Sequence, residues 1–391
     1  MRLSDRITGI NAGGSDGWGI YMKARDMERA GHDVTHLTIG EHDITTDPII
    51  LDAMHRAGLD GHTGYAFGSG NPGLRERVAR RVSDRTGVPT TPENVLVVPG
   101  GQAGLFATHM AVCDPGDRAM FIDPYYATYP GTIRSCGAVP VPVAARAEQM
   151  FQPGADDLAK AAAPGAASLL INSPNNPTGV IYTPDTMQGI AQVCQAHDMW
   201  LISDEVYDTQ VWTGEHITPR ALPSMSERTL VIGSMSKSHA MTGSRIGWVI
   251  GPEEALEHMG HLATNTTYGV AGFIQEATSF ALDQGPAFEA KIAAPFRRRR
   301  DLVLRQIEGQ NVVRAIPADG AMYIMLDIRA TGLSGEDFAD ALLEQHHVAV
   351  MPGESFGAAA AGHVRVALTV ADDRLEAAIA QMLAMSAALA A

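Results

Sequence analysis

Seven short apolar runs alternate with helix-like stretches between residues 95 and 251, and this alternation constrains the fold more than any other feature of the chain. Most of the runs are apolar throughout, which is typical of strands buried on both faces beneath helices. The pattern predicts an α/β region with a mostly parallel seven-stranded sheet covered by helices. The runs occupy residues 95–98, 119–122, 139–143, 168–171, 200–203, 230–232 and 247–250.

Two of these runs carry further information about the sheet. The third run contains Pro140 and Pro142, and prolines are confined to edge strands or bulges because they cannot donate to the hydrogen-bond ladder. We therefore expect an edge or a bulge at that run. The short connection between the last two runs favours an antiparallel pair.

The pattern changes after Gly251 and predicts a second, smaller α+β region. Strand-like residues 322–326 and 364–368 flank a helical stretch at residues 335–345. A helix over residues 21–29, followed by the run at residues 37–40, is expected to pack on this region.

The chain is long enough for more than one domain, since 391 residues exceed the usual size of a single compact domain. We predict a large α/β domain over residues 46–280. Residues 1–45 and 281–391 are predicted to form the smaller α+β domain together.

Composition excludes several classes of protein. A formal net charge of −15 argues against a nucleic-acid partner, and the basic tract at residues 297–300 is interpreted as a solvated helix face. No apolar run reaches the roughly 18 residues of a membrane span. Three cysteines without metal-ligand spacing, and no secretory signal at the N-terminus, predict a cytoplasmic protein without a metal site.

Four polar signatures follow predicted strands, where ligands bind in α/β sheets. Residues 99–103 (Pro-Gly-Gly-Gln-Ala) offer backbone N–H groups to an anion at a helix start. Residues 172–179 form a proline-fixed turn, and residues 203–207 (Ser-Asp-Glu-Val-Tyr) end a strand with a carboxylate. The fourth signature, residues 234–248, contains a lysine.

Lys237 lies among small hydroxyl and glycine residues at a strand end, where an amine is partly desolvated and accessible to a carbonyl. Ser234 and Arg245 in the same loop offer two contacts to an anion. The alternative for a single lysine is a solvated surface position. The three other signatures favour a chemical role.

In this order the signatures resemble the pyridoxal-phosphate aminotransferases of classes I and II, and the resemblance spans nearly the whole chain. Their lysine motif reads S-x-S-K-x-x-x-x-x-G-x-R-x-G. Three further segments are similar to family motifs: residues 65–75 (Y-x-x-x-x-G-x-x-x-L-R), residues 123–130 (D-P-x-Y/W-x-x-Y-P) and residues 363–366, the strand of a carboxylate-binding arginine.

The resemblance implies a fold-type-I enzyme with pyridoxal 5'-phosphate as cofactor, and it implies a role for each matched residue. Lys237 would form a Schiff base with the cofactor and then shuttle the substrate proton. Asp204 would keep the pyridine nitrogen protonated, although a helix N-cap is the alternative for this aspartate. Asn176 and Tyr207, the latter on the same helical side as Asp204, would bond the ring oxygen. Tyr126 would stack on the ring.

The remaining implied roles concern the phosphate, the substrate and the partner subunit. Arg365 would grip the substrate α-carboxylate as a bidentate pair, with Asn176 and Gly40 also contacting the substrate. Tyr65 would reach the phosphate of the neighbouring subunit, which implies a homodimer. The phosphate would be held by Gly101, Gln102, Ser234 and Arg245.

Two of the chain's departures from the family pattern bear on the chemistry of this site. His42 replaces the proline of a G-E-P-D-F motif; it is interpreted as a solvent-exposed loop residue, with a role in specificity as the alternative. Gln102 stands where the family often has lysine. One positive charge near the phosphate is therefore missing, and the role of Gln102 is open.

These observations predict an aminotransferase that moves an amino group between an α-amino acid and a 2-oxo acid by a ping-pong mechanism. The nearest alternative is a β-eliminating carbon–sulfur lyase on the same fold. A transcriptional regulator would need a basic DNA-binding domain, which the acidic chain lacks. A dehydrogenase, suggested by the glycine-rich residues 13–19, is rejected because these lack a preceding strand and the G-x-G-x-x-G spacing.

Overall fold

The structure is a computed structural model that describes residues 1–11 and 18–391. Most of the glycine-rich stretch considered for a dinucleotide lies outside the described residues. In chain order the strands are β1 (Thr35–Leu37), β2 (Val95–Val98), β3 (Arg118–Asp123), β4 (Val139–Ala144), β5 (Ser168–Asn172), β6 (Trp200–Asp204), β7 (Thr229–Ser234), β8 (Gly247–Ile250), β9 (Arg314–Ala315), β10 (Tyr323–Asp327), β11 (Val348–Pro352) and β12 (His363–Ala367).

Helices surround these strands, and none of those described is both long and apolar enough to cross a lipid bilayer. They are α1 (Asp5–Thr8), α2 (Trp18–Arg29), α3 (Pro48–Leu59), α4 (Pro72–Thr86), α5 (Gly101–Val112), α6 (Tyr129–Ser135), α7 (Ala155–Ala162), α8 (Pro184–Ala196), α9 (Met235–Ser238), α10 (Glu253–Thr266), α11 (Gly272–Asp283), α12 (Pro286–Ile307), α13 (Gly335–His346) and α14 (Asp372–Leu389).

The larger sheet has seven strands in the order β2-β8-β7-β6-β5-β3-β4, and its strands are the seven apolar runs of the sequence. Pairing is parallel except at β8, which runs antiparallel to both β2 and β7. The predicted antiparallel pair is therefore confirmed. The proline-containing strand β4 lies at the edge, as predicted, since its prolines need no partner there.

Parallel pairing brings the polar signatures to one edge of this sheet. The register pairs Asn172 at the end of β5 with Asp204 at the end of β6. It also pairs Asp204 with Ile232, two residues before Ser234 ends β7. The turn that carries Lys237 begins directly after β7. The carboxyl ends of three adjacent strands thus supply neighbouring functional groups.

The second sheet has five strands in the order β1-β11-β12-β10-β9. Strand β1 runs parallel to β11, and the other pairs are antiparallel. The predicted strands at residues 322–326 and 364–368 correspond to β10 and β12, and α13 lies between them in the chain. The apolar run of β11 was not singled out in the sequence, although its composition is that of a buried strand.

The arginine tract lies in α12, and its interpretation as a solvated face is wrong for Arg299. This side chain is buried and forms a hydrogen bond from Nη1 to Asp43 at 3.0 Å. Its Nε donates to Asp372 at 3.0 Å. Arg298 next to it keeps 57% of its side chain exposed, as expected for a solvated position. Arg299 therefore joins α12 to Asp43, which precedes α3, and to the start of α14.

We predict that Arg299→Ala lowers the free energy of unfolding by about 2–4 kcal/mol, because Asp43 loses its buried cation and Asp372 keeps only the exposed Arg298. The matched control Arg298→Ala, in the next position of the same helix, should change it by less than about 1 kcal/mol. Both are measured by urea denaturation. Equal effects of the two substitutions would contradict the buried role of Arg299.

Candidate functional site

A cavity of about 390 Å³ opens at the carboxyl ends of the large-sheet strands, with part of its wall contributed by the second sheet. Every residue predicted for the site lines this cavity except Tyr65. The predicted residues in its wall are Gly40, Gly101, Gln102, Tyr126, Asn176, Asp204, Tyr207, Ser234, Lys237, Arg245 and Arg365.

Lys237 lies in the one-turn helix α9, and its amine points into the cavity. Ser234 begins this turn, because its Oγ accepts a hydrogen bond from the backbone N–H of Ser236 at 3.1 Å. The Nζ of Lys237 donates to the carbonyl oxygen of Gly40. Burial lowers the pKa of Lys237, which increases the fraction of neutral, nucleophilic amine.

The start of α5 and Arg245 form a cradle for an anion. Gly100, before the helix, has a φ of 84°, and a Cβ there would lie 2.6 Å from Nη2 of Arg245. Only glycine allows this backbone and guanidinium to approach so closely. The first turn of α5 presents backbone N–H groups, and its positive dipole end favours a negative charge.

Gln102 lies in that first turn, and its side chain is bonded to the protein. Its Nε2 donates to Oγ1 of Thr132 at 2.6 Å, and its Oε1 accepts from Oγ1 of Thr128 at 2.9 Å. Both ends of the amide are therefore used to hold α5 against the start of α6. This leaves the backbone N–H as the group that Gln102 offers to a ligand.

Asp204 contributes a buried carboxylate to the wall of the cavity. Tyr129 donates its hydroxyl to Oδ2 at 2.7 Å, and the backbone N–H of Val206 donates to Oδ1 at 3.3 Å. Burial raises the pKa of Asp204 to about 6. Both the N-cap alternative and the helical position expected for Tyr207 are wrong, because β6 leads into a turn at residues 206–209.

Arg365 is held rigidly at the other end of the cavity. Its Nη1 donates to Oδ1 of Asn176 at 2.8 Å, and its Nη2 donates to the carbonyl oxygen of Thr38. The guanidinium lies between the rings of Tyr323 and Phe356, with centroids 4.3 and 4.4 Å from Cζ. These two cation–π contacts restrict the orientation in which this cation meets a carboxylate.

Tyr323 is a site residue that sequence analysis did not identify. Its hydroxyl lies 3.1 Å from the hydroxyl of Tyr207, and an added Cβ at Gly40 would come within 1.7 Å of it. Glycine at position 40 is therefore required by this close approach. Because Tyr323 belongs to an apolar run, the local pattern indicated only a core strand.

Tyr129, Ser236 and Phe356 are among the other cavity residues that sequence analysis did not identify. Tyr129 and Ser236 lie inside motifs that were recognised, so their positions were available from the sequence. Phe356 follows β11 in a region without a motif. Its role in holding Arg365 depends on a contact between two distant parts of the chain, which no local pattern predicts.

Tyr65 does not reach the cavity within its own chain. The side chain is exposed, at 93%, and its ring lies 5.2 Å from the ring of Tyr268. Any contact of Tyr65 with a functional site therefore requires a second copy of the protein.

The expectation of a solvent-exposed His42 is wrong. Its residue exposure is 9%, its Nε2 lies 3.0 Å from the carbonyl oxygen of Lys237, and its ring packs edge-on against Phe296 at 5.1 Å. Burial lowers the pKa of His42 to about 4, so the imidazole is neutral at physiological pH. Because its sequence neighbours Glu41 and Asp43 are polar, the local pattern indicated an exposed loop and did not predict this burial.

A second cavity, of about 600 Å³, lies between α4 and the start of α12 and contains none of the predicted site residues. Its charged groups are largely paired, since Arg81 bridges Asp208 and Glu289. Within the described part of the chain, no group of three or more His, Cys, Asp or Glu side chains is suited to hold a metal ion.

We predict that Asp204→Asn stabilises the ligand-free protein above about pH 6, because the native state then no longer buries a charged carboxylate. The raised pKa means that wild type loses stability as pH rises from about 4 through 6, by about 2–3 kcal/mol. The gap between variant and wild type should therefore close below about pH 4.

Urea denaturation at several pH values measures this gap. The control Asp198→Asn changes a carboxylate whose side chain is 94% exposed, and its effect should not vary with pH by more than a few tenths of a kcal/mol. A wild type as stable as Asp204→Asn at pH 8 would contradict the prediction.

Comparison with known proteins identifies the family. The chain matches the class I and II aminotransferases over residues 32–382. It is 40% identical over 376 residues to the arginine–pyruvate transaminase of Pseudomonas aeruginosa, covering 96% of this chain and 95% of that protein. It is 36% identical over 364 residues to the aspartate/prephenate aminotransferase of Thermus thermophilus, covering 92% and 93%.

The solved structures agree with this family. The aspartate aminotransferase of Thermus thermophilus with maleate superposes with a TM-score of 0.91 at 34% identity, covering 99% of this chain and 100% of that one. The relatives named here are aminotransferases, which disfavours the carbon–sulfur lyase alternative. The chain therefore belongs to the class I and II aminotransferases and is a fold-type-I enzyme that transfers amino groups.

Proposed function

We propose that this aminotransferase binds pyridoxal 5'-phosphate in the 390 Å³ cavity and exchanges an amino group between an α-amino acid and a 2-oxo acid by a ping-pong mechanism. One observation carries the proposal: a lysine amine, a buried carboxylate, an anion cradle and a stacked arginine line the same cavity. These four groups match the aldehyde, the pyridine nitrogen, the phosphate and the substrate carboxylate in chemical character.

The anion cradle suits the cofactor's phosphate. Gly101 and Gln102 would contribute backbone N–H groups, Ser234 its hydroxyl, and Arg245 its guanidinium. The approach of Arg245 to Gly100 supports this assignment, because a side chain at position 100 would occupy the space beside the guanidinium. Gln102 contributes no charge to this cradle. Among the described residues that line the cavity, Arg245 is the one that would place a cation beside the phosphate.

Asp204 suits the pyridine nitrogen, while Tyr126 would stack on the ring and Lys237 would hold the aldehyde carbon. When bound, the cofactor supplies an electron-withdrawing ring that accepts electron density from the substrate Cα as its proton leaves. Without a cation nearby, burial keeps the pKa of Asp204 raised. A protonated pyridine nitrogen provides that cation, and an opposite charge favours the ionised carboxylate.

Tyr323 would orient the proton of Tyr207. A tyrosine hydroxyl has a single proton to donate, and the two oxygens are 3.1 Å apart. If Tyr323 donates to Tyr207, the proton of Tyr207 is available for the cofactor's ring oxygen. Asn176 would assist there through Nδ2, because its Oδ1 already accepts from Arg365.

Lys237 would move the substrate proton at its Nζ. A lowered pKa keeps the amine able to accept a proton from Cα and return it at another position. The carbonyl oxygen of Gly40 accepts from this amine and holds it toward the substrate side of the cavity.

Arg365 would bind the substrate α-carboxylate as a bidentate pair. This group is common to all α-amino acids, so Arg365 selects the class of substrate and leaves the side-chain preference open. The relatives named above act on arginine with pyruvate and on aspartate or prephenate. Both kinds of donor therefore belong in the first substrate panel.

The first test is the visible absorption spectrum of the protein loaded with pyridoxal 5'-phosphate. We expect a yellow band that bleaches with donor amino acids, and a new amino acid once a 2-oxo acid is added. Lys237→Ala should lower turnover by at least about a thousandfold, because it removes the group that moves the proton. The control Lys291→Ala, at a side chain 71% exposed, should leave turnover unchanged.

Two results of this test would contradict the proposal. One is a protein that stays colourless when the cofactor is added, and the other is full activity in Lys237→Ala. Either result would mean that the residues lining the cavity do not perform the proposed chemistry. Ammonia and pyruvate, formed instead of a new amino acid from a donor with a β-leaving group, would restore the lyase alternative.

We further propose that the enzyme is a homodimer in which Tyr65 of each chain reaches the phosphate of its partner. Tyr65 lies with two other exposed aromatic residues, Phe67 at 65% and Tyr268 at 59% exposure. Exposed apolar clusters of this kind mark interaction surfaces. A symmetric dimer would present this cluster to its own copy.

Mixing two variants that are each expected to lose activity tests the shared site. Lys237→Ala and Tyr65→Ala, unfolded and refolded together, should form mixed dimers in which one of the two sites has both native residues. Random pairing then restores about a quarter of the wild-type sites. Each variant refolded alone is the control. Absence of recovery, with dimers seen by sedimentation, would contradict the contribution of Tyr65 across the interface.

A further inference from the structure

The N-terminal segment at residues 40–46 contacts the lysine turn at residues 237–242 at four points. Gly40 accepts from the amine of Lys237 through its carbonyl oxygen, and His42 meets the carbonyl oxygen of the same lysine. The remaining contacts are Glu41 Oε1 with Thr242 Oγ1 at 3.0 Å and Thr46 Oγ1 with the carbonyl oxygen of Ala240 at 2.7 Å.

His42 is the donor in its contact with Lys237. A carbonyl oxygen only accepts, so Nε2 must carry the proton, and Nδ1 is then unprotonated because the imidazole is neutral. Nδ1 is buried and has no partner among the described residues. A buried imidazole with one unsatisfied nitrogen is costly, and its bond to the lysine is the polar contact that offsets the cost.

We propose that His42 is a positioning residue for Lys237, and that its Nε2–H fixes the lysine backbone so that the amine stays directed at the substrate side of the cavity. This role rests on the proposed function of Lys237. Two supports hold His42 in place: the edge of Phe296 and the ion pair of neighbouring Asp43 with Arg299. The proline of the family motif has no N–H and makes no such bond.

Four variants separate a positioning role from a general packing role. His42→Phe keeps a ring against Phe296 and removes the donor, while His42→Gln keeps an amide donor at the ε position. Thr46→Val removes a hydrogen bond between the same two segments without touching Lys237. Should His42→Phe not fold, His42→Met, which also lacks a donor, carries the same comparison.

The first measurement uses the cofactor-free protein. An amine-acylating reagent labels Lys237 over a range of pH, and mass spectrometry of its peptide gives the pKa of the amine. In His42→Phe this pKa should rise toward its ordinary value, by roughly half a unit to one unit, because a loosened lysine is better hydrated. His42→Gln and Thr46→Val should match wild type. The charged or titratable groups facing this amine are Glu41, Arg245, Tyr323 and Arg365, and all four are unchanged in the variants.

The second measurement uses the loaded enzyme. His42→Phe should lower kcat about two- to tenfold, with the KM of the amino acid little changed, because Arg365 keeps its contacts. His42→Gln should restore most of kcat, and Thr46→Val should leave it near wild type.

Three results overturn the proposal: an unshifted lysine pKa in His42→Phe, equal shifts in His42→Phe and Thr46→Val, or no rescue by His42→Gln. The labelling needs no cofactor, so it gives an answer even if the proposed function fails. If the lysine pKa shifts as expected but the protein transfers no amino group, the His42–Lys237 contact is supported and the proposed function is contradicted.

Discussion

The parallel register of β5, β6 and β7 determines where the chemical groups of the cavity lie. Asn172 and Asp204 are directly paired at the ends of two strands, and Ser234 ends the next one. A shift of one residue would turn each strand's side chains to the opposite face. These strands are buried on both faces, so a shift would also misplace the side chains that pack against the helices on each face. The hydrophobic core thereby fixes the relative positions of a carboxylate, an amide and the lysine turn.

The cavity contains local features that reduce stability. Asp204 is buried with a tyrosine and a backbone N–H as its partners, and Arg245 has a φ of 50°, in the left-handed region that favours glycine. Burial of a carboxylate and left-handed backbone both raise the free energy of the folded state. Destabilising features of this kind are concentrated at functional sites, where a bound ligand can offset them. A cationic ring nitrogen and a phosphate are the charges that these two residues suit.

Much of the fold and the site was predictable because their signals are local. Lys237 and Asp204 follow apolar strands within short motifs, and the parallel sheet brings strand ends together by geometry. The errors at His42 and Arg299 have a different origin. Both residues have polar neighbours in the sequence. The burial of His42 depends on Phe296 and that of Arg299 on Asp43, and in each pair the two residues are far apart in the chain. Local pattern cannot predict such contacts, because tertiary packing decides them.

Tyr323 shows a related limit on reasoning from pattern. It occupies an inward position of an apolar strand, where aromatic residues usually fill a core. Its hydroxyl and its ring face matter here because Tyr207 and Arg365 come from other parts of the chain. The strand was predicted, whereas the function of one of its residues required knowledge of what lies opposite.

The segment at residues 38–42 connects Arg365, which would bind the substrate, with Lys237, which would move the substrate proton. The carbonyl oxygen of Thr38 accepts from Arg365, and two positions later the carbonyl oxygen of Gly40 accepts from Lys237. A substrate carboxylate offers Arg365 a charged acceptor in place of a neutral one, and charge-assisted bonds are roughly twice as strong. Loss of the Thr38 contact would leave that end of the segment held by Thr369, whose Oγ1 donates to the carbonyl oxygen of Ile39 at 3.1 Å. His42 holds the other end to Lys237, so the lysine keeps its position while the substrate side adjusts.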